Sequence, residues 1–232
     1  MPARSTARER VRAEITREIT DTARAQLAAS GAAALSLRAV ARDLGMVSSA
    51  IYRYFASRDE LLTALIIDGY NAIGAAVENA DATCARDDYR GRWLAGCRAA
   101  RAWAVAHPHE YALIYGSPVP GYQAPSDTIA PAARSAVVFG RLVSDAHAAG
   151  RLAPARCEQP VPRELSGDAR RLRETVMPDV PDDVIVAALT AWAGIFGVIS
   201  FELFGQFNNV VTGTAAYFDH AAGCLARLMG LS

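Results

Sequence analysis

The chain has 232 residues, 52% of them hydrophobic, and its 24 basic side chains balance 24 acidic ones, so it can bury a substantial core and disorder is excluded as its default state. The balance is uneven: residues 1–58 carry ten arginines against five acids, a net of +5, and the remainder carries fourteen against nineteen, a net of −5. A basic head on an acidic body points to an anionic partner at one end.

The first segment, MPARSTARERVRAE, is charged throughout and lacks the apolar run of a signal peptide, which makes the cytoplasm the expected compartment. Val11, Ile15, Ile19, Ala23 and Leu27 then recur every four positions, predicting a helix with an apolar stripe that Gly31 ends. Leu37, Val40, Ala41 and Leu44 follow the i, i+3, i+4, i+7 pattern of a two-turn helix, with Ser36 placed as its N-cap and Gly45 as its stop. Ser48 is positioned to cap a short helix over residues 49–56. Ser57 and Glu60 form an S-x-x-E capping box at the start of a long helix whose inner face carries Leu62, Leu65, Ile66, Ile73 and Val77.

A helix over residues 89–106 aligns Trp93, Cys97, Ala100 and Ala104, and His107-Pro108 breaks it. A brief helix around HEYALIY, a proline-rich loop and a helix over residues 128–149, closed by Gly150, come next. The stretch from Leu152 to Asp183 reads as a long irregular connection with one polar helical turn over residues 168–174. From Val184 to Phe201, eighteen residues carry no charge. That is the lower limit for a membrane span, but Asp182, Asp183 and Glu202 crowd its ends, and such a helix can equally lie between its own core and a partner subunit. A last helix over residues 214–229 places Phe218, Ala222, Leu225 and Met229 on one stripe. No alternating strand pattern competes, so the expected fold is all-α with about nine helices.

On a helical wheel Ile51 and Phe55 fall within about 40° of each other and face inward. Ser49 and Arg53 then point outward, flanked by Ala50, Tyr52 and Tyr54. Two short helices joined by a tight turn, the second with a polar and aromatic outer face, form a helix-turn-helix, whose second helix enters the DNA major groove. Ser48 and Ser49 are small enough for close backbone approach, and Arg53 can reach a guanine edge or a phosphate. The Tyr52 and Tyr54 hydroxyls suit phosphate oxygens, and Ser36 and Arg58 sit near helix N-termini that already favour anions. Arg38, on the preceding helix, is included among the candidate DNA contacts, though it could equally be a solvated surface arginine. The chain has no lysine, so every basic phosphate contact would be a guanidinium fork.

Residues 11–62 resemble the DNA-binding domain of TetR-family transcriptional regulators. The motifs are Ser36-Leu37-Arg38-Ala39-Val40-Ala41, the turn Met46-Val47-Ser48, then Ile51-Tyr52-Arg53-Tyr54-Phe55 and Arg58-Asp59-Glu60-Leu61. Met46 stands where glycine is common, Tyr54 where histidine is, and Arg58 where lysine is. The resemblance implies phosphate contacts for Ser36, Tyr52, Tyr54 and Arg58. It places Val47, Ser48, Ser49, Ala50 and Arg53 nearest the bases.

The C-terminal part resembles a subgroup of family effector domains marked by a tryptophan and then His-Gly on the penultimate long helix. Trp192 and Gly197 are present, with Phe196 in place of the histidine. The implied organisation is a DNA-binding domain over residues 1–57 and an effector-binding and dimerisation domain over residues 58–232. The implied partners are a palindromic double-stranded operator, a second copy of the chain joined through the last two helices, and a small-molecule effector. No cofactor is implied. Trp103, His107, Phe139, Trp192 and Phe196 are candidates for the effector site, and their character suggests an apolar or aromatic ligand.

Four scattered cysteines, Cys84, Cys97, Cys157 and Cys224, form no CxxC pair and are expected to be free thiols. No Ser-His-Asp set, phosphate loop or HExxH motif appears, and His107-Pro-His109 lacks a further ligand at sensible spacing, so an enzyme is not expected. The reading from another class is a dimeric partner-binding or membrane-associated helical module without DNA activity.

Overall fold

The structure is a computed structural model that describes residues 6–153 and 160–231; Cys157 and its neighbours near the start of the long connection lie outside the described residues. Ten α-helices are present among the described residues: α1 Ala7–Ser30, α2 Leu37–Asp43, α3 Ser48–Ile51, α4 Arg58–Thr83, α5 Tyr89–Ala106, α6 Pro108–Tyr115, α7 Ile129–Ala148, α8 Ser166–Thr175, α9 Asp182–Leu203 and α10 Thr214–Leu228. Single 3-10 turns occupy Ala32–Ala34, Ser126–Thr128 and Arg163–Leu165. The one β-type pairing described is an isolated bridge between Leu152 and Leu231. The all-α expectation holds.

Caps account for most of the boundaries. The α1 helix starts earlier than its apolar stripe because Thr6 and Glu9 form a capping box: the Glu9 N–H donates to the Thr6 hydroxyl at 3.2 Å, and the Thr6 N–H donates to the Glu9 carboxylate at 2.7 Å. At α4 the Glu60 N–H donates to Ser57 Oγ at 3.1 Å, while the Glu60 carboxylate accepts from Ala56 N–H rather than from Ser57. The α2 helix ends in a Schellman motif. Met46 N–H donates to Ala41 O at 2.8 Å and Gly45 N–H to Arg42 O at 3.0 Å, with Gly45 at φ +67°, where a side chain would be strained.

Three expectations need correction. Ser36 has the extended backbone of an N-cap, but its hydroxyl makes no cap hydrogen bond. The helix expected over residues 49–56 is only Ser48–Ile51, with Val47 at its N-cap and no cap from the Ser48 side chain. The chain then tightens instead of unwinding: Arg53 N–H reaches Ala50 O at 3.2 Å and Tyr54 N–H reaches Ile51 O at 2.9 Å. Finally, the polar turn expected over residues 168–174 is the full helix α8, which raises the helix count from about nine to ten. Tertiary contacts supply what its polar sequence does not: Ala169 is buried, and Arg173 donates to Val180 O at 3.0 Å and pairs with Asp182.

The chain divides into two compact units. One runs up to Tyr70 and includes His107–Ile129; the other comprises Asn71–Ala106 and the residues from Ala130 onward. The first unit packs α1, α2, α3 and the start of α4 around Ile19, Ala23, Leu27, Val40, Ile51, Phe55 and Leu62, with Leu113, Val119 and Tyr122 against the same cluster. Arg24 on α1 ties it together through Asp68 of α4 at 2.7 Å and Glu110 of α6 at 3.1 Å. In the second unit α9 packs on α5, α8 and α10. The ring of Phe139 on α7 lies against Trp93 of α5, with centroids 4.9 Å apart, over Gly96, where a Cβ would come within 2.8 Å of that ring.

Candidate functional site

The surface around α3 is built on two anchors. Ile51 is fully buried and Phe55 is 5% exposed, which fixes the intervening residues to the outside of the first unit. Val47 is 71% exposed and Tyr52 45%, and Ser48, Ser49 and Arg53 are exposed with them. Arg38 on α2 is exposed, Ser36 and Ala50 are half-buried, and Tyr54 is half-buried against the core cluster.

Two arginines of α1, which the sequence pattern did not single out, complete this surface. Arg8, Val11 and Arg12 border a groove with Arg53 and Tyr54. The Arg12 guanidinium donates to Arg53 O at 3.0 Å and stands 5.3 Å from the centre of the Tyr54 ring. It therefore holds the turn that presents Arg53. The only sequence signal for it was the excess of arginine before residue 58.

Arg58 behaves differently from its companions. Its guanidinium donates to Leu35 O at 3.1 Å, Ala32 O at 2.9 Å and Ala33 O at 3.3 Å. The fork closes the 3-10 turn before α2, adding a second donor to Ala32 O, which already accepts from Leu35 N–H at 3.3 Å. In this arrangement it ties the start of α4 to the turn that leads into α2.

Of the five residues proposed for an effector, the structure brings two together. Phe139 and Trp192 line an apolar cavity of about 250 Å³ within the second unit, along with Trp93, Val137, Leu172, Met177, Leu189 and Met229. Phe196 is buried one turn along α9, its ring 5.6 Å from that of Trp192, but does not line the cavity. Trp103 is buried elsewhere in α5. His107 is exposed at the N-cap position of α6, in the other unit. The helical spacing of aromatics could not tell cavity walls from core.

Trp93 donates its indole N–H to Ala222 O at 2.9 Å, whereas Nε1 of Trp192 is buried with no hydrogen-bond partner among the described residues. An unpaired buried N–H costs about 1–3 kcal/mol. Cys84, Cys97 and Cys224 are free thiols, and burial pushes the Cys97 thiol well up. Among the described residues no group of three His, Cys, Asp or Glu side chains is gathered that could hold a metal ion.

An outward-facing α3 backed by α1 and α2, followed by a helical body containing an apolar cavity, defines a helix-turn-helix transcriptional regulator with a helical effector domain. Residues 19–65 match the model for bacterial regulatory proteins of the tetR family, and residues 93–225 match that for the tetracyclin repressor-like C-terminal domain. The chain belongs to the TetR family of transcriptional regulators. It is 41% identical over 228 residues to the HTH-type transcriptional regulator Rv1816 of Mycobacterium tuberculosis, covering 96% of this chain and 95% of that protein. The HTH-type transcriptional regulator Mb1846 of Mycobacterium bovis matches to the same extent. The crystal structure of a protein described as regulatory, SCO4313, superposes with a TM-score of 0.76 at 37% identity, over 95% of this chain and 98% of that one. Members of this family bind DNA operators, and dimerisation and ligand-responsive repression are typical of them.

Proposed function

We propose that this chain is a cytoplasmic repressor that binds a palindromic operator as a homodimer and releases it when a small molecule occupies the cavity of the second unit. The observation that carries this reading is that Val47, Ser48, Ser49, Tyr52 and Arg53 are exposed and held over buried Ile51 and Phe55. Val47, Ser48, Ser49, Ala50 and Arg53 face base edges, and Ser36, Arg38, Tyr52 and Tyr54 take phosphates, with residues 1–57 as the DNA-binding part. Arg8 and Arg12 add charge at the rim. A two-fold dimer puts the two α3 helices about 34–36 Å apart, one turn of B-DNA. An effector that prefers another spacing weakens operator binding by the factor by which the operator weakens effector binding.

Binding to duplexes from the DNA flanking the chain's own gene tests this. Affinity should fall linearly in log salt, each phosphate contact contributing about −0.9 to the slope. Arg53→Ala is expected to cost about 1–3 kcal/mol more on the operator than on random duplex. Equal losses would make Arg53 a phosphate contact. Tyr54→Phe should weaken both duplexes alike, and a selective loss would contradict its role.

The dimer is assigned to α9 and α10. Leu189, Phe201 and Phe204 on or beside α9 and Tyr217 on α10 are large apolar residues 40–52% exposed, and a symmetric partner would cover them. Phe201→Glu should raise the dimer dissociation constant at least about tenfold by sedimentation, since one buried charge at an interface costs more than 1.4 kcal/mol. The second reading is a membrane-associated or partner-binding module, for which the support is that α9 and α4 are long and apolar enough, by length and composition, to cross a bilayer. Solubility without detergent, together with salt-dependent duplex binding, would eliminate it.

A further inference from the structure

We infer that Arg12 of α1 determines sequence specificity without reading a base itself: it fixes the turn after α3, so that the Arg53 side chain is aimed at one base pair before DNA arrives. This role rests on Arg53 being a base contact, as proposed above, and deepens that reading.

Local sequence and core packing bring the two arginines together. The Thr6 and Glu9 capping box starts α1 at Ala7, so Arg8 and Arg12, four residues apart, share one face of a regular helix. Further along, Ile19, Ala23 and Leu27 are buried in the cluster that also holds Ile51 and Phe55, and this packing sets the distance from α1 to the turn. Arg8, Val11 and Arg12 meet Arg53 and Tyr54 across one groove. Among the described residues no carboxylate forms an ion pair with Arg8, Arg12 or Arg53, so the charge of the groove is not neutralised from within.

The turn is weakly tied by its own backbone. Arg53 lies beyond the end of α3, and its N–H bonds to Ala50 O at 3.2 Å. Among the described residues no backbone N–H donates to Arg53 O. Arg12 supplies that donor, with NH2 at 3.0 Å. The Arg12 guanidinium is itself held on a second side, 5.3 Å from the centre of the Tyr54 ring, and Tyr54 packs on the core cluster. An arginine has many rotamers, and the direction in which its Cα–Cβ bond leaves the backbone decides which of them reach a base edge. Fixing the carbonyl of Arg53 narrows that choice, and order established before binding lowers the cost of recognition. Charge alone has no such effect: phosphate contacts carry no sequence information, so a residue that only adds charge leaves base preference unchanged.

Selection of duplexes from a randomised library by the full-length protein gives the base preference at each position and tests this role. Arg53→Ala should flatten the preference at one position of each half-site by about 5- to 150-fold, the discrimination of one base contact. Arg12→Ala, and Arg12→Met with its apolar stem kept over Tyr54, should each flatten the same position by about three- to tenfold and spare the others. In the Arg53→Ala background neither should change the profile further. Arg8→Ala removes a charge from the same groove and should weaken all duplexes alike. Both Arg12 variants should melt within about 2–4 °C of the parent, the shift that one exposed hydrogen bond gives a chain of this length. An unchanged profile in both Arg12 variants would make Arg12 a charge only. A loss at a different position, or one that persists without Arg53, would make it a base reader in its own right. Loss at every position with a lower melting temperature would make it merely structural, and an equal loss in Arg8→Ala would assign the effect to the field of the groove. Each of these overturns the positioning role. If Arg53→Ala leaves the parent's profile intact, Arg53 is not a base contact and both readings fall. If Arg53→Ala flattens its position and the Arg12 variants do not, the role of Arg12 falls alone.

Discussion

Replacing Phe55 with alanine is expected to destabilise the first unit by about 3–5 kcal/mol, the usual range for truncating a buried aromatic. The side chain is 5% exposed and shares a core with Ile51, Leu61, Leu62 and the inner residues of α1 and α2. Its position also makes the effect functional. Tyr52, Arg53 and Tyr54 are suspended between Ile51 and Phe55, so a cavity beneath one anchor loosens the surface meant to meet DNA. Urea unfolding should show the loss, and affinity should drop for operator and random duplex together, because geometry rather than one base contact is damaged. Tyr52→Ala is the contrast: with 45% of the residue exposed, it should change stability by no more than about 0.5 kcal/mol while still weakening DNA binding. A Phe55→Ala protein within about 1 kcal/mol of the parent would show that this residue is not the anchor.

Regular features of the sequence carried much of the architecture. The stripes on α1 and α4, the Ser57 cap before α4, and the limits of α5 at Tyr89 and Ala106 follow from period and caps that act locally. The wheel placed Ile51 and Phe55 inside and Arg53 outside for the same reason. What the sequence hid depends on distant partners. Arg58 beside a helix N-terminus looks like an anion ligand, and only the folded chain shows the carbonyls of Ala32, Ala33 and Leu35 within its reach. The α8 helix is polar and short, and is held by Arg173 against Val180 and Asp182. The cavity was half legible: aromatic spacing named Phe139 and Trp192 but also Trp103, Phe196 and His107, because a helical stripe reports which side is apolar and not whether it is filled. Arg12 was missed because its role is a bond to the backbone of Arg53, 41 residues away.

Asp81→Asn is expected to cost about 3 kcal/mol at pH 7, through the cation it leaves behind. Arg92 on α5 has a side chain only 4% exposed, and its Nε donates to Asp81 at 2.7 Å while its NH1 donates to Asp145 at 3.0 Å. The Asp145 side chain is 53% exposed and so screens that charge less effectively. Burial would raise the Asp81 carboxyl, but hydrogen bonds from Arg92 and then Arg86 outweigh it and hold the group below its ordinary value of 3.8. A carboxyl depressed in the folded state contributes stability that is complete above its unfolded value and lost as pH falls through its folded one. The gap between parent and Asp81→Asn should therefore be constant from about pH 5 to 8 and close below 3.8, where the parent also becomes neutral at this position. Denaturant titrations at pH 7, 4.5 and 3 would show it. The double variant Asp81→Asn, Arg92→Met should recover part of the loss, since removing both charges leaves neither one buried alone. If the double variant is instead as unstable as the sum of the two single ones, the residues act independently and the ion pair is not what joins α4 to α5.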